Sequence, residues 1–168
     1  MNQLADAAPI GANGLCVMPF GNGAERMLGN KNIEARMLNI NLNKHSQGSI
    51  YRATLEGIAF SFIYGMKFIK SDNTPLHVIR AGNDNLFRSE VFSNTIASLI
   101  GQEIEIYNTT GAIGAARAAS VHHDDLAAFG ELISKNDYVS SYTPQKNTDD
   151  YVEAYEKWEK ELKKIINN

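Results

Sequence analysis

The sequence predicts an α/β domain, a largely parallel sheet covered by helices, and three observations predict it. After residue 47, helical and extended patterns alternate as helix, strand, helix, strand, helix, and strands linked through helices pair in parallel. His77 to Val91, HVIRAGNDNLFRSEV, reads as strand, small-residue turn, then helix. That geometry lays a backbone against a ligand. The last twenty residues carry an aromatic stripe opposite Glu and Lys, the mark of a helix packed on a body.

Composition sets the bounds. At 168 residues the chain is one domain or part of one. A hydrophobic share of 43% with 21% charge is that of a globular protein with a core. The net charge of −3 and the lack of a basic cluster argue against a nucleic-acid surface. Cys16 is the single cysteine, so neither an internal disulfide nor a cysteine metal site is expected, and its expected place is the core. His45, His77, His122 and His123 have no metal-ligand spacing. No apolar run approaches the ~20 residues that span a bilayer, and the N-terminus lacks a signal pattern. The expectation is a cytoplasmic protein with no metal-ligating residues of its own and no membrane or nucleic-acid partner.

Taken in order, Asn2 to Ala8 forms a short helix stopped by Pro9. Leu15 to Met18 is an apolar strand. Gly21 to Arg26 is a loop with two glycines. Ala35 to Leu42 alternates Met37, Asn39 and Asn41 against Leu38, Ile40 and Leu42, which predicts a half-buried strand. Gln47 to Lys70 is a helix with apolar residues nearly all round, predicted to be deeply buried. Within it Arg52 and Glu56, four apart, can pair. Gly57 costs about 1 kcal/mol against alanine there and points to a close neighbour. Ser71 to Pro75 is a turn cluster.

The helix after the Gly82 turn is predicted from Leu86 to Ile100, with Gly101 as its stop. Glu103 to Tyr107 alternates as a strand. Asn108-Thr109-Thr110 offers a cap for a helix of small residues, Gly111 to Ala119, which can approach a sheet or a ligand closely. Asp124 to Ile133 reads as a helix and Tyr138 to Tyr142 as an extended piece. Thr148 reads as an N-cap, followed by Asp149 and Asp150 in a first turn that favours negative charge. The final helix sets Tyr151, Tyr155, Trp158, Leu162 and Ile165 on one face, with Lys163 and Lys164 at its C-terminal end. Residues 1–46 are thus an irregular lead-in with short strands, 47–121 a helix-strand-helix-strand-helix core, and 122–168 C-terminal helices.

Several ordered blocks resemble the C-terminal half of the FGGY family of carbohydrate kinases. They are Gly14 to Phe20 followed by Gly23-Ala24-Glu25-Arg26, then Ala35 to Glu56 ending in IYRATLEG, then TTGAIGAA from Thr109, and the closing Pro144, Tyr151, Tyr155 and Trp158. Where many members have Gly-Gly-Gly-Ala, this chain has Ala81-Gly82-Asn83-Asp84, in a loop two or three residues longer. Asn39 replaces a family glycine, and Ser49 stands where His, Asn or an acid is usual.

The resemblance implies the actin-like, ribonuclease H-like ATPase fold, with this chain as the C-terminal nucleotide-binding lobe, a fragment of a protein about three times as long. It implies ATP with Mg²⁺, and transfer of the γ-phosphoryl group to a sugar hydroxyl. D-xylulose is the first choice of sugar; glycerol, ribulose and gluconate are alternatives, as is a non-catalytic nucleotide-binding or dimerisation module. It places adenosine against Gly82, with Asn83, Asn85, Phe87 and Ser89 as liners and Gly111, Ala112 and Gly114 nearby. The catalytic aspartate is expected outside this chain. The implied partners are the sugar, the N-terminal lobe and, as an assembly, a homodimer.

Overall fold

A computed structural model describes residues 1–69, 79–120 and 126–167. The elements are α1 (Asn2–Asp6), β1 (Cys16–Phe20), β2 (Glu34–Leu38), α2 (Gln47–Ile69), β3 (Ile79–Gly82), α3 (Glu90–Ile100), β4 (Ile104–Tyr107), α4 (Gly111–Ser120), α5 (Leu126–Asp137), β5 (Tyr138–Tyr142) and α6 (Thr148–Ile166). The turn at 71–75 and the histidines at 77, 122 and 123 lie outside the described residues.

Two sheets form. β1 and β2 pair antiparallel, Met18 opposite Arg36. In the second sheet, β3 and β4 run parallel, Ile79 opposite Ile104, and β5 returns antiparallel to β4. The alternation of elements thus marks the parallel pair, while β5 makes the sheet mixed.

One core joins α2, α3, α6, β1 and β4. Trp158 is its centre, flanked by the rings of Phe20, Phe60, Tyr64 and Tyr155 at centroid distances of 5.8–6.5 Å. The stripe on α6 exists for this reason, since Tyr151, Tyr155, Trp158 and Leu162 are all buried. Trp158 Nε1 donates to Val17 O at 2.9 Å, so its polar edge is satisfied inside the core. Gly57 sits over the same strand, and a Cβ there would collide with the Val17 carbonyl. Cys16 is buried, and burial pushes its thiol up to about 11.

The Arg52–Glu56 pair forms, and it does more than staple its own helix. Arg52 Nε donates to Glu56 at 2.7 Å and Nη1 donates to Ala8 O at 2.8 Å. Both Glu56 oxygens accept from the Gly11 N–H, at 3.1 and 3.2 Å. Gly11, Ala12 and Asn13 all take left-handed backbone conformations, φ 71°, 45° and 57°. This turn is held from its other end by His45 Nε2 and Lys44 Nζ on Asn13 O. Burial pushes the Glu56 carboxyl above the ordinary carboxylate range, against the opposing pull of Arg52 and the Gly11 amide.

Four expectations need correction. β2 ends at Leu38 and is exposed along most of its length; nothing among the described residues covers it, so its alternation does not mark a buried face. Asn39 has φ 62°, which turns the chain out of the strand. A family glycine would hold that conformation without strain, and Asn is among the residues that tolerate it best. α2 is buried on most of its surface but not all round, since Phe62 and Phe68 are exposed. The helix predicted from Leu86 is broken: a 3₁₀ turn spans Asn85–Arg88, Ser89 is extended, and α3 starts at Glu90. Thr148 is the first residue of α6 and not its cap, and its hydroxyl donates to Gln145 O at 2.6 Å.

Candidate functional site

The parallel pair β3–β4 positions the candidate site. Both strands end side by side, Gly82 opposite Tyr107, and each runs into a turn. The Asn83 N–H donates to Tyr107 O at 2.7 Å. At Gly82 the two turns come so close that a Cβ would lie 2.5 Å from Thr109 O. The glycine is therefore required by close backbone approach, since its φ is not positive.

Beyond Gly82 the chain turns through Asn83 and Asp84. Arg88 Nε donates to Asn83 O at 3.2 Å, so the Asn83 backbone is tied on both sides. Asn85 is exposed and left-handed, φ 49°. Across the gap, Thr110 Oγ1 accepts from the Ile113 N–H at 3.3 Å and caps α4, as the Asn-Thr-Thr segment predicts. Gly111, Ala112 and Gly114 are exposed, with nothing within 4 Å of a Cβ at either glycine. The small residues of α4 therefore leave one wall of a site open instead of packing it against the sheet. A helix start of this kind presents N–H groups without intrahelical partners.

Of the predicted residues, the structure brings Gly82, Asn83 and the Gly111 end of α4 to one corner. Two others have structural employment. The Phe87 ring packs edge-on against Phe92 at 5.3 Å and leans on the core. The Ser89 hydroxyl is buried and accepts from the Phe92 N–H at 3.5 Å, capping α3. Sequence reading missed Arg88 and Tyr107, which brace the turn. The signal for Tyr107 was its place at the strand end just before Asn-Thr-Thr; Arg88 carries no such signal.

A second network backs the corner on the sheet face. Glu105 accepts from Tyr107 OH at 2.7 Å and from Arg80 Nε at 2.9 Å. The Tyr107 hydroxyl, then Arg80, hold its carboxyl below the ordinary range.

A cavity of about 950 Å³ lies elsewhere, between the left-handed turn at Gly11 and α6. Arg52 and Glu56, which line it, are bonded to one another and to backbone. The candidate site is taken at the open corner, where two parallel strands end side by side and their turns meet. No group of three or more His, Cys, Asp or Glu able to hold a metal lies among the described residues. No described helix is long and apolar enough to cross a membrane.

No family model matches the chain. Xylulose kinase of Haemophilus influenzae is 28% identical over 164 residues, which are 94% of this chain and 33% of that protein. Among solved structures, a xylulose kinase from Lactobacillus acidophilus superposes with a TM-score of 0.78 at 17% identity, over 97% of this chain and 34% of its own. The fold is that of the FGGY carbohydrate kinases. Glycerol kinase of Plasmodium falciparum, solved with ADP, superposes at 0.76 and 17% identity, over 98% of this chain and 33% of that one. A gluconate kinase from Lactobacillus acidophilus does so at 0.70, also at 17% identity, over 98% of this chain and 34% of its own. The chain thus spans about a third of the length of the sugar kinases it matches.

Proposed function

We propose that this chain is the nucleotide-binding lobe of a carbohydrate kinase that moves the γ-phosphoryl group of ATP to a hydroxyl of D-xylulose. The observation that carries the reading is the meeting of the Gly82 and Thr109 turns at the ends of two parallel strands, with α4 left open beside them. A nucleoside needs a flat backbone ledge and a few convergent polar groups. Gly82 supplies the ledge, the Asn83 and Asn85 side chains supply amides, and the start of α4 supplies backbone N–H groups. Phe87 and Ser89 act from behind, by fixing the turn.

Phosphoryl transfer depends on positioning and on neutralising charge. Mg²⁺ would enter on the phosphates of ATP, since the described residues form no metal site of their own. Glu56 is locked in its ion pair, and the base that takes the sugar proton belongs to the N-terminal lobe, the partner of this one. Xylulose stands first because the curated relative at 28% identity carries that name. A kinase of gluconate or glycerol is the second reading, favoured by the superpositions on those enzymes. The cytoplasm is the proposed setting of the reaction. A homodimer is the expected assembly.

The test is a graft. This chain replaces the matching third of the Haemophilus influenzae xylulose kinase, and ATP-dependent formation of xylulose 5-phosphate is followed. The chimera is expected to be active, to lose most activity on Gly82→Val, and the isolated chain to be inactive. A folded but inactive chimera, or product from the isolated chain, would overturn the reading.

A further inference from the structure

We propose that Asn22, and not Asn13, is a site of spontaneous covalent modification, at which the side-chain amide is lost and aspartate or isoaspartate is formed. The inference is independent of the nucleotide site. The sequence holds two Asn-Gly pairs, Asn13-Gly14 and Asn22-Gly23. Glycine leaves its own amide nitrogen unshielded and the backbone before it free to turn. In the first step the glycine nitrogen bonds to the asparagine Cγ and gives up its proton, and ammonia leaves. The cyclic imide then takes up water. Opening at one carbonyl gives aspartate; opening at the other gives isoaspartate, with an extra carbon in the main chain. Nothing is oxidised or reduced, and water is the only co-reactant.

The two pairs differ in what holds them. Ring closure needs the glycine nitrogen to swing round to Cβ, a rotation about ψ that also swings the asparagine carbonyl. At Asn13 that carbonyl is fixed. It accepts from Lys44 Nζ at 3.1 Å and from His45 Nε2 at 3.4 Å. His45 Nδ1 accepts from the Asn41 N–H at 3.0 Å, so Nε2 carries the proton that the carbonyl receives. Asn13 stands at φ 57°, ψ 29°, which puts the Gly14 nitrogen on the far side of Cα from Cβ. Asn39 Nδ2 donates to Gly14 O at 3.4 Å and holds the next peptide as well. Asn22 lies in the turn that follows β1. Among the described residues no hydrogen bond ties its side chain, or the backbone of Asn22 or Gly23. Gly23 has φ 105° and nothing within 4 Å of a Cβ. The reaction is intramolecular, so freedom about ψ and a bare nitrogen are what it requires, and only this pair has both. The product adds a negative charge to the turn, and in the isoaspartyl form it lengthens the chain between β1 and β2.

Peptide mapping by mass spectrometry of the folded chain, held for weeks at mildly alkaline pH, tests this. Conversion of amide to acid is expected at Asn22 at least about tenfold faster than at Asn13, the factor that the two bonds on the Asn13 carbonyl give as a barrier. In urea, where that hold is gone, the two rates should converge. Lys44→Met keeps the stem and removes the ammonium, and should speed Asn13 by about threefold or more with Asn22 unchanged. Equal rates in the folded chain, a gap that persists in urea, or an Asn13 rate indifferent to Lys44→Met would each overturn the proposal.

Discussion

Two corners of this molecule are built from the same parts and left in opposite states. At each, distant segments meet through backbone at a glycine. At Gly11 the meeting is closed, because Glu56 takes the amide, Arg52 takes the Ala8 carbonyl, and both side chains are buried. At Gly82 it is open. The backbones touch, yet Asn85 and the first residues of α4 face outward. The first corner spends its polar groups on holding the chain together, and the second leaves Asn85 and the start of α4 exposed. The proposed binding corner differs from the closed one in its exposure, not in the volume of the nearest cavity.

The sharpest way to break the contrast is to disable the closed corner. Glu56→Ala leaves the Arg52 guanidinium buried without its counter-charge and the Gly11 amide without an acceptor. Removing one partner of a buried pair costs about 3–5 kcal/mol, a large part of the stability of a domain this size. Urea unfolding should show that loss. A cost below about 1 kcal/mol would mean that the corner is solvated and the contrast false.

Gly57→Ala comes next. In an open helix the exchange gains about 1 kcal/mol. Here the new methyl meets the Val17 carbonyl, which also accepts the Trp158 bond. Overpacking of this kind costs about 1–3 kcal/mol, so thermal unfolding should move down, against the helix scale.

How far the sequence reveals these corners follows from the range of each signal. Local periodicity exposes the α6 stripe, because four residues at helical spacing bury together. Gly57 is legible for the same reason: a glycine in an apolar helix has a neighbour. Asn39 is legible as a substitute for glycine and does take the left-handed conformation. The Glu56–Gly11 bond is not, since its ends are 45 residues apart and no pattern in either segment names the other. β2 misleads because alternation reports what a strand could bury, while burial depends on what lies beside it. α3 starts late because Ser89 caps it, and a cap overrides an apolar residue one turn earlier. The corner at Gly82 shows in the sequence as two separate turns; that they touch is a property of parallel pairing.

Gly114→Ala tests the open side with a smaller effect. Gly114 has nothing within reach of a Cβ and no positive φ, so the change should stabilise α4 by about 0.5–1 kcal/mol. The opposite signs at Gly57 and Gly114, for one substitution in two helices, would sharpen the comparison. Destabilisation at Gly114 would show that α4 is covered in solution.

The smallest effect belongs to the brace behind the open corner. Glu105 is held below the ordinary carboxylate range by the Tyr107 hydroxyl first and Arg80 second. A depressed carboxylate adds stability that is fully present above its unfolded value and is lost as pH falls through its folded value. Tyr107→Phe removes the 2.7 Å hydroxyl bond and keeps the ring against Tyr138. The Glu105 value should then rise towards the ordinary range, and its acid loss should shrink and be complete at higher pH. The group is partly exposed and solvent screens it, so the readout is the Glu105 titration followed by NMR and not the unfolding midpoint. A titration that does not move would give the whole depression to Arg80 and leave Tyr107 with only its backbone role, accepting from Asn83 at the turn.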